Sequence, residues 1–228
     1  MRHGRYGSGG RAFPAGRVLV TGIPVRRSVL AVPREEARHR LGLGGEFTVL
    51  VLGGSQGAGA INGALVGALP LLRGAGAPLA LVWLCGKRDF DRCSSAAESA
   101  GFPVKLFPYL DDMGMALGAA DLAVARAGAS TVAELLALGL PSVLVPYPHA
   151  ASDHQARNAQ VLADCGAARV LPETELTPES LAREISGLAR DSAARAALSA
   201  GARSLGRPDA ARAVAGEVLA VLAGGGKC

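Results

Sequence analysis

Three segments carry residue types that can do chemistry together. The first is Leu52-Gly53-Gly54-Ser55-Gln56-Gly57-Ala58, between an apolar run and a helical stretch. Glycines there allow close backbone approach, and the first N–H groups of a helix lack partners inside it, so a phosphate or pyrophosphate is the natural guest. A tight strand-to-helix turn without a ligand is the competing reading of the same residues. The pattern falls short of GxGxxG, and no GxxxxGK[ST] occurs, so neither a standard dinucleotide fingerprint nor a P-loop is supported. The second segment is Arg126-Ala127-Gly128-Ala129-Ser130-Thr131-Val132-Ala133-Glu134. Thr131 and Glu134 have the spacing of a capping box, with threonine at the N-cap. Alternatively, Glu134 is a carboxylate at a helix mouth that accepts both hydroxyls of a ribose. The two roles compete for one carboxylate.

The third segment runs Pro146-Tyr147-Pro148-His149, then Asp153-His154-Gln155-Ala156-Arg157-Asn158. Its two prolines stiffen a loop, and Gln155 and Asn158, three apart, share a helix face on which two amides can meet a polar ligand. His149, Asp153 and His154 are metal-capable types, but nothing else supplies ligands at suitable spacing, so no metal site is expected. No GxSxG elbow is present, so a nucleophilic serine triad is unsupported.

Alternating strands and helices must position these segments. Phe47–Leu52 and Leu79–Leu84 are continuous apolar runs of the kind buried on both faces of a parallel sheet. Shorter strands are expected at Arg17–Thr21, Val104–Phe107, Asp121–Ala125, Ser142–Val145 and Ala168–Leu171. Helices are expected at Arg34–Leu41, Ala58 to about Leu72, Asp89–Ala100, Ser130–Leu138 and Asp153–Asp164. Gly101 and Gly139 close two of them. From Thr177-Pro178-Glu179, a strong helix start, helices fill the remainder, with a break near Gly206-Arg207-Pro208. The pattern predicts an α/β fold, a Rossmann-like doubly wound parallel sheet in a single domain, binding ligands at the carboxyl ends of its strands.

Composition narrows the function classes. Of 228 residues, 50% are hydrophobic and 19% charged, enough to form a packed core and too apolar for wholesale disorder. The net charge of +5 comes from scattered arginines with no aromatic interleaving, so nucleic-acid binding is not expected. No uncharged apolar run approaches the ~18 residues of a transmembrane segment, and the basic, glycine-rich start has no apolar core behind it of the kind a secretory signal needs. Cys85, Cys93, Cys165 and Cys228 show no CxxC or zinc-like spacing, which fits a reduced cytoplasmic compartment.

Taken in order, Thr21-Gly22-Ile23-Pro24-Val25-Arg26, Gly53–Ala58, Asp111-Asp112-Met113, Arg126–Glu134, Gly139-Leu140-Pro141 and Asp153-His154-Gln155 with Asn158-Ala159 resemble the bacterial peptidoglycan N-acetylglucosaminyltransferase (MurG) family. The likeness runs from about residue 17 to 222. It implies one lobe of a two-lobed GT-B glycosyltransferase, with residues 17–222 as the UDP-GlcNAc-binding C-terminal lobe. Residues 1–16 would be a remnant of an N-terminal lobe and 223–228 a flexible tail. The implied reaction moves GlcNAc from UDP-GlcNAc to lipid-linked N-acetylmuramyl-pentapeptide, inside the cell and peripheral to its membrane. No cofactor is implied.

The resemblance also implies residue roles. Arg26 and Ser55 would meet the donor's phosphates or groups near them, Gly53, Gly54 and Gly57 would form the phosphate loop, and Leu110 would sit by the uracil through its backbone. Ser130 and Thr131 would lie at the pyrophosphate, and Glu134 on the ribose. Gln155 and Asn158 would face the GlcNAc hydroxyls, with His154 at a neighbouring donor-facing position. Ile23 stands where family members usually have Asn. The lobe that would bring the lipid-linked acceptor and a catalytic base has no counterpart here, so no residue is assigned as catalytic. The alternatives are a non-catalytic sugar-nucleotide-binding subunit of a split transferase and a GT-B enzyme with another acceptor. In the family the last helix packs on the other lobe, so Val214, Val218, Leu219 and Leu222 are expected to be partly uncovered.

Overall fold

The structure is a computed structural model that describes residues 18–53, 57–76 and 78–223. Six strands form one parallel sheet: β1 (Phe47–Leu52), β2 (Leu79–Leu84), β3 (Val104–Phe107), β4 (Leu122–Ala125), β5 (Ser142–Leu144) and β6 (Arg169–Val170). Their order across the sheet is β3-β2-β1-β4-β5-β6. The chain therefore builds outward from β1 in one direction, returns to β4 on the other side of β1, and builds outward again. That reversal leaves a crevice beyond the carboxyl ends of β1 and β4, where open α/β sheets receive ligands.

The central strands are buried on both faces, which explains their near-continuous apolar sequences. Val49, Val51, Leu81, Trp83, Leu122 and Val124 face one layer with α3 (Gly59–Gly74), α4 (Phe90–Glu98) and α8 (Pro178–Arg190). Leu50, Leu52, Val82, Ala123 and Ala125 face the other. Against that face lie α1 (Arg27–Leu30), α2 (Arg34–Arg40), α5 (Met113–Ala119), α6 (Ala129–Leu138) and α7 (His154–Asp164). The helix α9 (Ser192–Leu205) contributes Leu198 to one layer and Ala202 to the other.

Caps and turns follow the expected chemistry in places. Thr177 caps α8 in a reciprocal capping box with Ser180, with Pro178 at the first helical position. Gly139 ends α6 in the left-handed conformation at φ 64°.

Two sequence expectations are corrected. No strand forms at 18–21; Val18, Leu19 and Val20 are exposed, and Arg17 lies outside the described residues. The chain there runs past the start of α10 (Ala210–Ala223) instead of along the sheet. At Gly22 a Cβ would stand 2.8 Å from the Arg207 Cβ, so only the bare backbone of that residue fits this close to the residues before α10. The second correction concerns α6. Its N-cap is Gly128, whose carbonyl accepts from Val132 N at 2.9 Å, so Thr131 is the third helical residue and forms no capping box with Glu134. The chain enters the helix almost directly from β4, so the N-cap lies three residues before Thr131, while the helix itself begins one residue before the expected Ser130.

Two helices were not expected at all. In α5 the run Met-Gly-Met-Ala-Leu-Gly-Ala sets two glycines, each about 1 kcal/mol less favourable than alanine, among good helix formers. Its glycines serve close packing, since a Cβ on Gly114 would lie 2.4 Å from Ser28 O in α1. The four-residue α1 is too short to carry a periodic signal.

Candidate functional site

All three chemistry-bearing segments emerge at the carboxyl edge of the sheet, because they follow parallel strands. Gly53 and Gly57 lie after β1, Arg126–Gly128 after β4, and Pro146–His149 after β5. The first two flank the crevice at the strand-order reversal.

Glycine is required at both ends of the β1–α3 turn. A Cβ on Gly53 would come within 2.2 Å of Ala58 N, and Gly57 has φ +75° with Cys85 O only 2.6 Å from where a Cβ would be. The turn thus folds onto itself and against the residue following β2. Gly54 and Ser55 lie outside the described residues. Behind the turn sits a buried polar web that sequence inspection missed. The Asn62 side chain, in the first turn of α3, donates to Cys85 O at 2.8 Å and to Asp89 Oδ2 at 2.7 Å, and accepts from Trp83 Nε1 at 3.0 Å. This ties the start of α3 to the end of β2, and a lone buried Asn followed by a distant Trp gives no local signal of it.

The mouth of α6 is open in the sense that matters for an anion. Its N-cap is glycine and makes no side-chain cap hydrogen bond, so the first-turn N–H groups have no partner inside the helix. Ser130 is exposed and Thr131 half-buried at this mouth. Glu134 stands one turn further in, half-buried. Burial raises its carboxyl pKa above the ordinary value, and the Arg26 guanidinium opposes that rise. Because α6 starts at Ala129, the Glu134 carboxylate is not committed to capping. Arg26, exposed at the N-cap of α1, is brought to the same crevice by the packing of α1 on α6. Leu110 is half-buried after β3, on the same edge and packed against the core.

The third segment is placed by direct hydrogen bonds. Gln155 Oε1 accepts from Tyr147 N at 3.1 Å, and Asn158 Nδ2 donates to Ala127 O at 3.1 Å. The two amides thus pin the loops after β5 and β4 to α7. Gln155 offers its amide nitrogen as a donor, and Asn158 its carbonyl as an acceptor, which is a matched set for hydroxyl groups. His154, the first residue of α7, is exposed. Ser152 and Asp153 just before it hold left-handed φ values of 51° and 52°, a costly conformation for two non-glycine residues in succession. Among the described residues no cluster of three or more His, Cys, Asp or Glu side chains is arranged to hold a metal. Among them, too, no helix is long and apolar enough to cross a membrane.

The glycosyltransferase family 28 C-terminal domain matches residues 48–214. A UDP-N-acetylglucosamine–N-acetylmuramyl-(pentapeptide) pyrophosphoryl-undecaprenol N-acetylglucosamine transferase of Nitrosococcus oceani is 44% identical over 212 residues, which are 92% of this chain and 58% of that protein. The like-named protein of Geobacter sulfurreducens is 42% identical over 91% of this chain and 57% of its own length. Among solved structures, Acinetobacter baumannii MurG superposes with a TM-score of 0.71 at 32% identity, over 89% of this chain and 56% of that one. The calicheamicin glycosyltransferase CalG4 superposes with a TM-score of 0.59 at 26% identity, over 78% and 44%. The chain spans a little over half the length of the curated relatives it matches, and it belongs to glycosyltransferase family 28 as a C-terminal domain of the MurG type.

Proposed function

We propose that this chain is the donor-binding lobe of a GT-B transferase, and that its ligand is UDP-GlcNAc held across the carboxyl ends of β1 and β4. The observation that carries this reading is the α6 mouth. Uncapped N–H groups, a half-buried carboxylate not used in capping and the Arg26 cation converge at the point where the strand order reverses.

The donor fits this arrangement by chemistry. Its pyrophosphate suits the two helix mouths, with Ser130 and Thr131 at one and Ser55 with the loop glycines at the other. Arg26 adds a positive charge nearby. Glu134 lies at the depth where a carboxylate can accept from both ribose hydroxyls, and the backbone at Leu110 flanks the uracil. Gln155 and Asn158, with His154 beside them, meet the sugar hydroxyls.

In the longer relatives named above, the reaction transfers N-acetylglucosamine to a lipid-linked muramyl-pentapeptide, and we assign this chain the donor half of that reaction. Inverting transfer needs an acceptor hydroxyl in line with the leaving pyrophosphate and a base to take its proton. This chain contributes to the other requirement, stabilising negative charge on the leaving pyrophosphate through helix dipoles and N–H groups that are already oriented. A lipid-linked acceptor, and a site at the membrane surface where it is met, belong to the same proposal through a second lobe.

Titration calorimetry of UDP-GlcNAc into the purified 228-residue chain tests the reading. Saturable one-to-one binding is expected, with no sugar transfer to a soluble muramyl acceptor. A folded chain that binds neither UDP nor UDP-GlcNAc refutes the donor-lobe assignment.

A further inference from the structure

Arg126 is the last residue but one before the α6 N-cap, and only 9% of it is exposed. A guanidinium so buried must have its donors matched, and here the matches reach two separate segments. Nη1 donates to Val145 O and to Pro146 O, both at 3.2 Å, just beyond β5. Nη2 pairs with the carboxylate of Glu173, from the 3-10 turn Glu173–Glu175 that follows β6. The Glu173 Oε2 atom is itself buried, with this guanidinium as its counter-charge. The guanidinium also lies 5.2 Å from the centre of the Tyr147 ring.

These contacts lead to the amides of α7. Tyr147 N donates to Gln155, and Ala127, the residue after Arg126, accepts from Asn158. We propose that the Arg126–Glu173 ion pair is the positioning device of the sugar subsite. It fixes the Val145–Tyr147 segment after β5, and through it the Gln155 amide, without touching the nucleotide. The inference rests on the donor-lobe reading and adds to it two residues that make no ligand contact themselves. The guanidinium divides the task between two nitrogens, Nη1 on the two carbonyls and Nη2 on the carboxylate, a fixed fork that a lysine ammonium does not reproduce. The side-chain contacts of Arg126 run toward the segments after β5 and β6 and not toward Glu134, so the pair acts on the sugar end of the site in preference to the nucleotide end.

The test compares UDP and UDP-GlcNAc by calorimetry in the unsubstituted chain, in Glu173→Gln and in Arg126→Lys, with thermal melts to establish folding. In both variants the UDP dissociation constant is expected to stay within about twofold, while that for UDP-GlcNAc rises about tenfold, equivalent to one or two lost hydrogen bonds. A purely structural role weakens both ligands by a common factor, and that result overturns the inference, as does an unchanged ratio. Loss of folding in Arg126→Lys leaves Glu173→Gln to decide. If the unsubstituted chain binds neither nucleotide, the donor-lobe reading and this inference fall together; if it binds both and the ratio does not move, only this inference falls.

Discussion

Replacing Glu134 by alanine removes a half-buried carboxylate that has no capping duty in α6. Two charge-assisted hydrogen bonds to a ribose, at about 1.5–3 kcal/mol each, set the upper bound of the loss. Water entering the vacated space recovers part of it, so the expected weakening is at least about 1.4 kcal/mol, or tenfold in dissociation constant. Glu134→Gln keeps the shape and removes the charge, and should fall between the two. Acidity offers a separate reading of the same group. Burial raises its pKa, against the pull of Arg26, so UDP-GlcNAc affinity should decline on acidification earlier than an ordinary glutamate would cause. UDP-GlcNAc is the right probe, because free UDP has a terminal phosphate that itself titrates near pH ~6. Stability should move with the opposite sign. The folded chain holds the proton more tightly than the unfolded one, so this group adds stability as pH falls from the raised pKa toward the ordinary carboxylate value. Calorimetry across that window, on the parent chain and on Glu134→Gln, checks both slopes. A folded Glu134→Ala protein that loses less than threefold in affinity refutes the ribose assignment.

Three further outcomes follow from the packing. Asn62→Leu leaves the buried Trp83 N–H and Cys85 O without their partners and should lower stability by about 2–3 kcal/mol, roughly 4–12 °C in Tm; a Tm within 2 °C of the parent contradicts the web. Burial, together with Cys85 and Asp89, pushes the Cys93 thiol up to about 12, so iodoacetamide at pH 8 should alkylate the exposed Cys165 and spare Cys93 until the chain is unfolded; mass mapping decides. The α10 helix exposes Val214, Val218, Leu219, Val221 and Leu222, the last two at 72%, and a contiguous apolar face of this kind favours self-association. Light scattering of the isolated chain should therefore show oligomers that Val218→Glu with Leu222→Glu disperses, and a monodisperse parent monomer contradicts it.

Much of this was readable before any coordinates. The doubly wound sheet follows from apolar runs too continuous to be half-exposed, and six of the seven strands expected from sequence form within a residue or so of their expected bounds. The expectation at Arg17–Thr21 failed because β-branched residues indicate fitness for a strand but not the presence of a neighbour to pair with. The order of the candidate site residues was also legible, since each segment sits where a strand hands over to a helix. Sequence could not settle whether Glu134 is a cap or a free carboxylate. That depends on which residue caps α6, and the cap falls at Gly128, three residues before Thr131, because the helix follows β4 almost at once.

The sequence by itself therefore determined the class of fold, the edge of the sheet at which the candidate site forms and the residue types gathered there, because these depend on local periodicity and on glycine and proline chemistry. Only the tertiary structure decided which side chains act on one another across distance. Arg26 acts on Glu134, Arg126 pairs with Glu173, and Asn62 meets Trp83, through separations along the chain that no local pattern encodes. Such pairings are set by strand order, and strand order is fixed by how all the layers pack at once.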